Sequence, residues 1–173
     1  MREFDEMQSL LSEEETRQNR EVWIRLQSFL AHSAMISKLL FPVSKKRGES
    51  DDDSEKRKQR GIEVREYLGV DDDHSIKNRA ARNALEHLDE KIDIWVSKNS
   101  GGLLEAVFDN REAFEYLARV SVIRRVIILD EMIFISQGIE HEETDLNIIQ
   151  NAVVEVLGFA EEKIKDTPNA VCI

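Results

Sequence analysis

Apolar residues recur at three- and four-residue steps over Val22, Leu26, Phe29, Ala34, Ile36 and Leu40, widened by Trp23 and Leu30, which predicts a long helix. Ser12-Glu13-Glu14-Glu15 opens it as a capping box, and Pro42 stops it. The pattern then breaks: from Ser44 to Gly61 no residue is apolar, and lysines and arginines alternate with aspartates. Such a run is expected to be a charged mobile loop at 44–61, or a solvated lead-in to the next helix. Ile62, Val64 and Leu68 suggest a short helix ending near Gly69.

Asp71-Asp72-Asp73 precede a second amphipathic stretch, with Ile76, Ala80, Ala84, Leu88, Ile92 and Trp95 in helical register up to Ser100-Gly101-Gly102. The acids suit the free N–H groups and positive dipole of a helix start. Asp109-Asn110-Arg111-Glu112 opens another helix through Phe114 and Leu117 by the same logic. The character changes at Val122-Ile123, Val126-Ile127-Ile128-Leu129 and Met132-Ile133-Phe134-Ile135, β-branched or aromatic runs around Asp130-Glu131. A β-hairpin near 122–137 is expected there. Leu146, Ile149, Val153, Leu157, Ala160 and Ile164 define a last amphipathic helix. The pattern therefore predicts a mainly α fold over 1–173, a single helical domain built as an irregular bundle of about five helices with one small hairpin.

Composition narrows the partners. The net charge of −11 would repel a phosphate backbone over most of the surface, so a nucleic-acid coat protein is excluded and no DNA partner is expected. No run approaches the length of apolar chain that spans a membrane, and neither a secretory nor a transit signal is read at the start, so the expected place is the cytoplasm. The single cysteine, Cys172, allows no internal disulfide.

The sharpest chemistry lies in Arg82-Asn83-Ala84-Leu85-Glu86-His87. With this chain's arginine, histidine and asparagine content, Arg-Asn followed by His at that spacing would arise about 0.015 times by chance. On a helix Asn83 and His87 are four apart on one face, so the amide can hold the imidazole in one tautomer. Arg82 is offset from His87 by about 140°, yet its long side chain can reach a phosphate that the histidine also touches. An imidazole of near-neutral pKa can take the proton of a ribose 2′-hydroxyl, and a guanidinium can stabilise the charge that develops on the attacked phosphate. The products would be a 2′,3′-cyclic phosphate and a 5′-hydroxyl.

In this motif the chain resembles the HEPN superfamily, all-α ribonucleases and nucleotide-associated proteins of prokaryotic toxin, CRISPR and antiviral systems. The resemblance covers Arg82-Asn83-x-x-x-His87 and implies that Arg82 and His87 are the catalytic pair, with Asn83 in support. It further implies a homodimer with a composite active site, a single-stranded RNA substrate, and a possible antitoxin or regulatory protein as partner. Asp89 stands where some toxin members carry a tyrosine, which removes that subtype and places an anion near the proposed phosphate site. Solvated pairing on a helix surface, Arg82 with Glu86 and Asn83 with His87, is the alternative; it makes the chain a catalytically silent interaction or regulatory module.

Other candidates are weaker. Glu140-His141-Glu142-Glu143 is read as a surface loop, and no HExxH, CxxC, paired Glu-x-x-His or Walker pattern occurs, so neither a metal nor a cofactor is expected. His32 and His74 lack organised partners in the sequence, and Trp23 and Trp95 read as core aromatics. Arg124-Arg125 could hold a phosphate, or guard a strand edge with charge.

Overall fold

A computed structural model describes residues 13–43, 47–81, 83, 103–137 and 141–166. The long helix predicted first is α1, Glu13–Leu40. Its buried side runs through Trp23, Leu26, Leu30, Ser33, Ala34, Ser37 and Leu40, the stripe that the apolar period describes.

From Asp51 the charged run is the lead-in to the helix that ends at Gly69, not a loop. Residues Asp51–Leu68 form a second helix, α2, whose N-cap Ser50 accepts a hydrogen bond from the backbone N–H of Asp53 at 3.1 Å. Asp51, Asp52 and Asp53 fill its first turn, where carboxylates meet the positive end of the helix dipole. What α2 lacks in apolar side chains it replaces with close approach and charged donors. Its buried residues are Ser54 and Gly61. Arg57 donates to the carbonyl of Val43 at 2.7 Å and pairs with Glu49, and Arg65 donates to the carbonyl of Leu40. These carbonyls lie at or just beyond the end of α1, where backbone acceptors have no partner within the helix. The apolar-free first part of α2 is therefore held at the end of α1 by Arg57, and beyond it Arg65 acts beside Val64 and Leu68, which pack on the Leu40 and Phe41 cluster.

Gly69, in the left-handed conformation at φ 80°, closes α2 by donating its N–H to Arg65. Helical order does not run unbroken from Ile76 as the periodicity suggested. Ser75–Lys77 form a 3-10 turn capped by His74, and a new start follows in which Asn78 Oδ1 accepts the N–H of Ala80 at 2.9 Å. Ala80, Ala81 and Asn83 are helical. Among the described residues four α-helices carry the fold, against the five expected.

The hairpin is present but belongs to something larger. β1 (Leu103–Phe108), α3 (Arg111–Ala118), β2 (Ile123–Ile128), β3 (Ile133–Gln137) and β4 (His141–Asp145) precede the last helix, α4 (Leu146–Asp166). The strands form one sheet in the order β1-β2-β3-β4. β1 runs parallel to β2 with α3 as the crossover, while β2–β3 and β3–β4 are antiparallel. The Glu140-His141-Glu142-Glu143 segment, expected as a loop, thus supplies most of an edge strand. The chain is mainly helical with a small sheet, not a bundle with an isolated hairpin.

Both faces of the sheet are covered. Ile127 and Phe134 join Trp23, Leu26, Leu30, Ala81 and Leu146 in one cluster, and Trp23 meets Phe134 edge-on with ring centres 6.3 Å apart. Val126, Ile128 and Ile135 pack with Phe114 of α3 in another. Coverage on both sides explains why all six residues of β2 are buried. A further cluster joins Leu40, Phe41, Val70 and Ile76 to Ala152 and Val156 of α4.

Candidate functional site

Arg82 and His87, the proposed catalytic pair, lie outside the described residues, as does Trp95. What is described is the approach to them. Asn78 caps the turn before Ala80, and the backbone N–H of Asn83 donates to Arg79 at 2.9 Å. Ala81 is buried against α1, whereas Asn83 is exposed. On a helix these positions differ by about 200°, so one side of this segment packs and the other meets solvent.

The surroundings of this start are built with care. Arg79 Nη1 reaches the carbonyl of Phe41 at 3.4 Å, adding a third arginine to those gathered at the end of α1. Just before it, His74 Nδ1 accepts the N–H of Ile76 at 3.2 Å while Nε2 faces Glu155 of α4 at 3.2 Å. The partners that the sequence did not reveal for His74 are thus its own turn and a carboxylate 81 residues away. A cavity of about 10 Å³ lies between Leu30, Ser33, Ile76, Asn78, Arg79 and Ile149. That is room for about one water, far too little for a base or a sugar. His32 donates back to the carbonyl of Ser28 in its own helix at 2.7 Å.

Arg124-Arg125 guard no edge. They sit in β2, an inner strand, and are 1 % and 2 % exposed. Arg124 donates to Ser136 Oγ at 3.1 Å. Arg125 pairs with Glu105, its register partner on β1, and lies over the ring of Trp23 at 5.2 Å. Burial lowers the pKa of both guanidiniums, that of Arg125 to about 10. Nε and Nη1 of Arg125 are buried with no hydrogen-bond partner. The sequence held a signal for this pair: Glu105 and Arg125 are charges inside otherwise apolar runs.

A separate network sits at the start of α3. Arg111 pairs with Glu131 at 2.8 Å and with Glu143 at 3.1 Å, tying the helix to the β2–β3 turn and to β4. Among the described residues no group of three or more His, Cys, Asp or Glu is placed to hold a metal ion. No helix among them is long and apolar enough to cross a membrane. Comparison with family models, curated proteins and solved structures gives no match for this chain.

Proposed function

We propose that the chain is a HEPN-like metal-independent endoribonuclease of a prokaryotic toxin or antiviral defence system. The observation that carries this reading is the spacing Arg82-Asn83-x-x-x-His87, at a helical segment whose Ala81 is packed and whose Asn83 is exposed. In the proposed mechanism His87 takes the 2′-hydroxyl proton of single-stranded RNA. The freed oxygen attacks the adjacent phosphorus, and Arg82 stabilises the charge gathered on the phosphate oxygens. The P–O5′ bond then breaks and the 5′-oxygen takes a proton from solvent, giving a 2′,3′-cyclic phosphate and a 5′-hydroxyl. Asn83 holds the imidazole for this task.

The test is cleavage of single-stranded RNA by purified protein in excess chelator, with the cyclic phosphate detected on the upstream product. An inert wild type, or a His87→Ala variant that cleaves as well as wild type, would sink the reading. A second reading, a catalytically silent module acting through protein contacts, draws support from Ile24, Met35 and Leu39 of α1, whose large apolar side chains are exposed.

A further inference from the structure

The outward side of α1 carries a feature that neither the motif nor the core uses. Ile24, Ser28, Ala31, Met35 and Leu39 are all exposed and follow one another at steps of four, three, four and four. This is the spacing of a seam on which a second helix lies. Ile24 is 56 % exposed, Met35 66 % and Leu39 48 %, three large apolar side chains along one line of the helix.

The middle of the seam is free of charge, while Arg25 flanks Ile24 and Lys38 flanks Leu39 at its two ends. Residues 26–37 contain no Asp, Glu, Lys or Arg, although at the chain's 34 % charged content twelve residues should carry about four. The exposed positions in that stretch are Gln27, Ser28, Ala31, His32 and Met35, none an acid or a strong base. α4 also exposes apolar side chains, at Ile148, Val154, Leu157 and Ile164, but these are interspersed with Glu155, Glu161, Glu162, Lys163 and Lys165. A chain with a net charge of −11 repels its own copies almost everywhere, so two copies meet at least cost on a surface free of charge.

The order of residues identifies the occupant. A two-fold axis between Ala31 and His32 sets Ile24 of one copy against Leu39 of the other and Ser28 against Met35, with Ala31 facing His32. Each inner pairing then sets a small residue against a larger one, Ser28 with Met35 and Ala31 with His32, and large apolar residues close both ends over about 22 Å of helix. Such self-complementarity is what a two-fold contact demands of a single surface. We propose that this seam is a homodimer interface, on which two copies of the chain lie antiparallel along α1.

The proposal stands apart from the ribonuclease reading. Ala81, at the helical start that leads into the motif, packs with Trp23, Leu26 and Leu30, on the side of α1 away from the seam. A shared cleft formed by two motif helices would be a different interface, and the experiment distinguishes the two.

Sedimentation velocity across micromolar concentrations should show a dimer. Met35→Glu, and independently Ala31→Glu, should weaken it about tenfold or more: the first buries a carboxylate against Ser28 with no counter-charge, and the second sets two carboxylates side by side at the axis. Val154→Glu on α4 should leave it intact. Circular dichroism should show that all three fold, since the positions are exposed. In a Cys172→Ser background, Ser28→Cys mixed with Met35→Cys should form a heterodimer with a short bis-maleimide, whereas neither alone should join to itself. A monomeric wild type, a dimer indifferent to both α1 substitutions, or efficient self-joining of Met35→Cys would each overturn the proposal. RNA cleavage by the dissociated variants bears only on the motif.

Discussion

A Cβ added to Gly61 would lie 2.4 Å from Cδ of Pro42 and 2.9 Å from the carbonyl oxygen of Leu40. This closeness lets the first part of α2 cross the end of α1 without an apolar side chain, before Val64 and Leu68 reach the core. Gly61→Ala should therefore lower stability, although alanine is the better helix former by about 1 kcal/mol. Overpacking of this kind costs about 1–3 kcal/mol, so a net loss in melting temperature is expected by calorimetry. An unchanged or raised melting temperature would mean that α2 can move away from Pro42 freely.

The same contact shows why part of the fold was hidden in the sequence. Periodicity marks a helix that buries apolar residues, and α1 and α4 do so. The first part of α2 instead buries Ser54 and Gly61 and is held by Arg57, so its pattern reads as solvent-facing, whereas Val64 and Leu68 did mark the end of the helix at Gly69. β4, His141–Asp145, has no apolar residue to alternate, and β1 is a short run after Gly101-Gly102 in which Glu105 interrupts the apolar sequence. The β2–β3 hairpin was legible because β-branched residues crowd it on both sides of a turn. Arg82 and His87 are conspicuous as a spacing, and they lie outside the described residues.

Removing one member of the Glu105–Arg125 pair should differ sharply from removing the other. Glu105→Gln leaves a buried guanidinium without its counter-charge, a change that typically costs about 3–5 kcal/mol. Arg125→Met removes the cation and both unpaired N–H groups while leaving a partly exposed carboxylate, so it should be neutral or stabilising. Urea titration of both variants checks this order, and equal losses would refute it.

Burial of Arg125 also sets a pH dependence at the alkaline end. The pKa of Arg125 is lowered to about 10 from the ordinary 12.5, so the folded protein gives up this proton more readily than the unfolded chain. The burial cost is complete below about pH 10 and falls as pH rises toward the unfolded value. Wild type should consequently gain stability relative to Arg125→Met over that window, measured by urea midpoints of the two proteins side by side.

Met132 adopts φ 52° in the turn between β2 and β3, in the left-handed region that side chains avoid. Its carbonyl also accepts the N–H of Leu146 at 2.9 Å, so the conformation is held at the start of α4. Met132→Gly should relieve the local strain and raise stability by up to about 1 kcal/mol. A clear fall in melting temperature would show that the methionine side chain contributes more than its exposed position suggests.

For the proposed ribonuclease, Arg82→Lys should cleave poorly despite keeping its charge, because the planar two-pronged contact with phosphate is lost. Asn83→Ala should do intermediate harm, and changes at His32 and His141 should leave cleavage intact. Cleavage time courses in chelator, with folding checked by circular dichroism, give the comparison. Full activity in Arg82→Lys would remove the guanidinium from the mechanism.

The two arginines of β2 have one more effect, on how the sheet finds its alignment. Ile123-Arg124-Arg125-Val126-Ile127-Ile128 is apolar on both faces, so the hydrophobic pattern alone would accept a shift of one residue against either neighbour. The charges do not. Such a shift would carry Arg125 away from Glu105 and out from under Trp23, and would separate Arg124 from Ser136. A pair that adds little to stability thus excludes the misaligned sheets, and its loss should be felt first as heterogeneity of strand pairing.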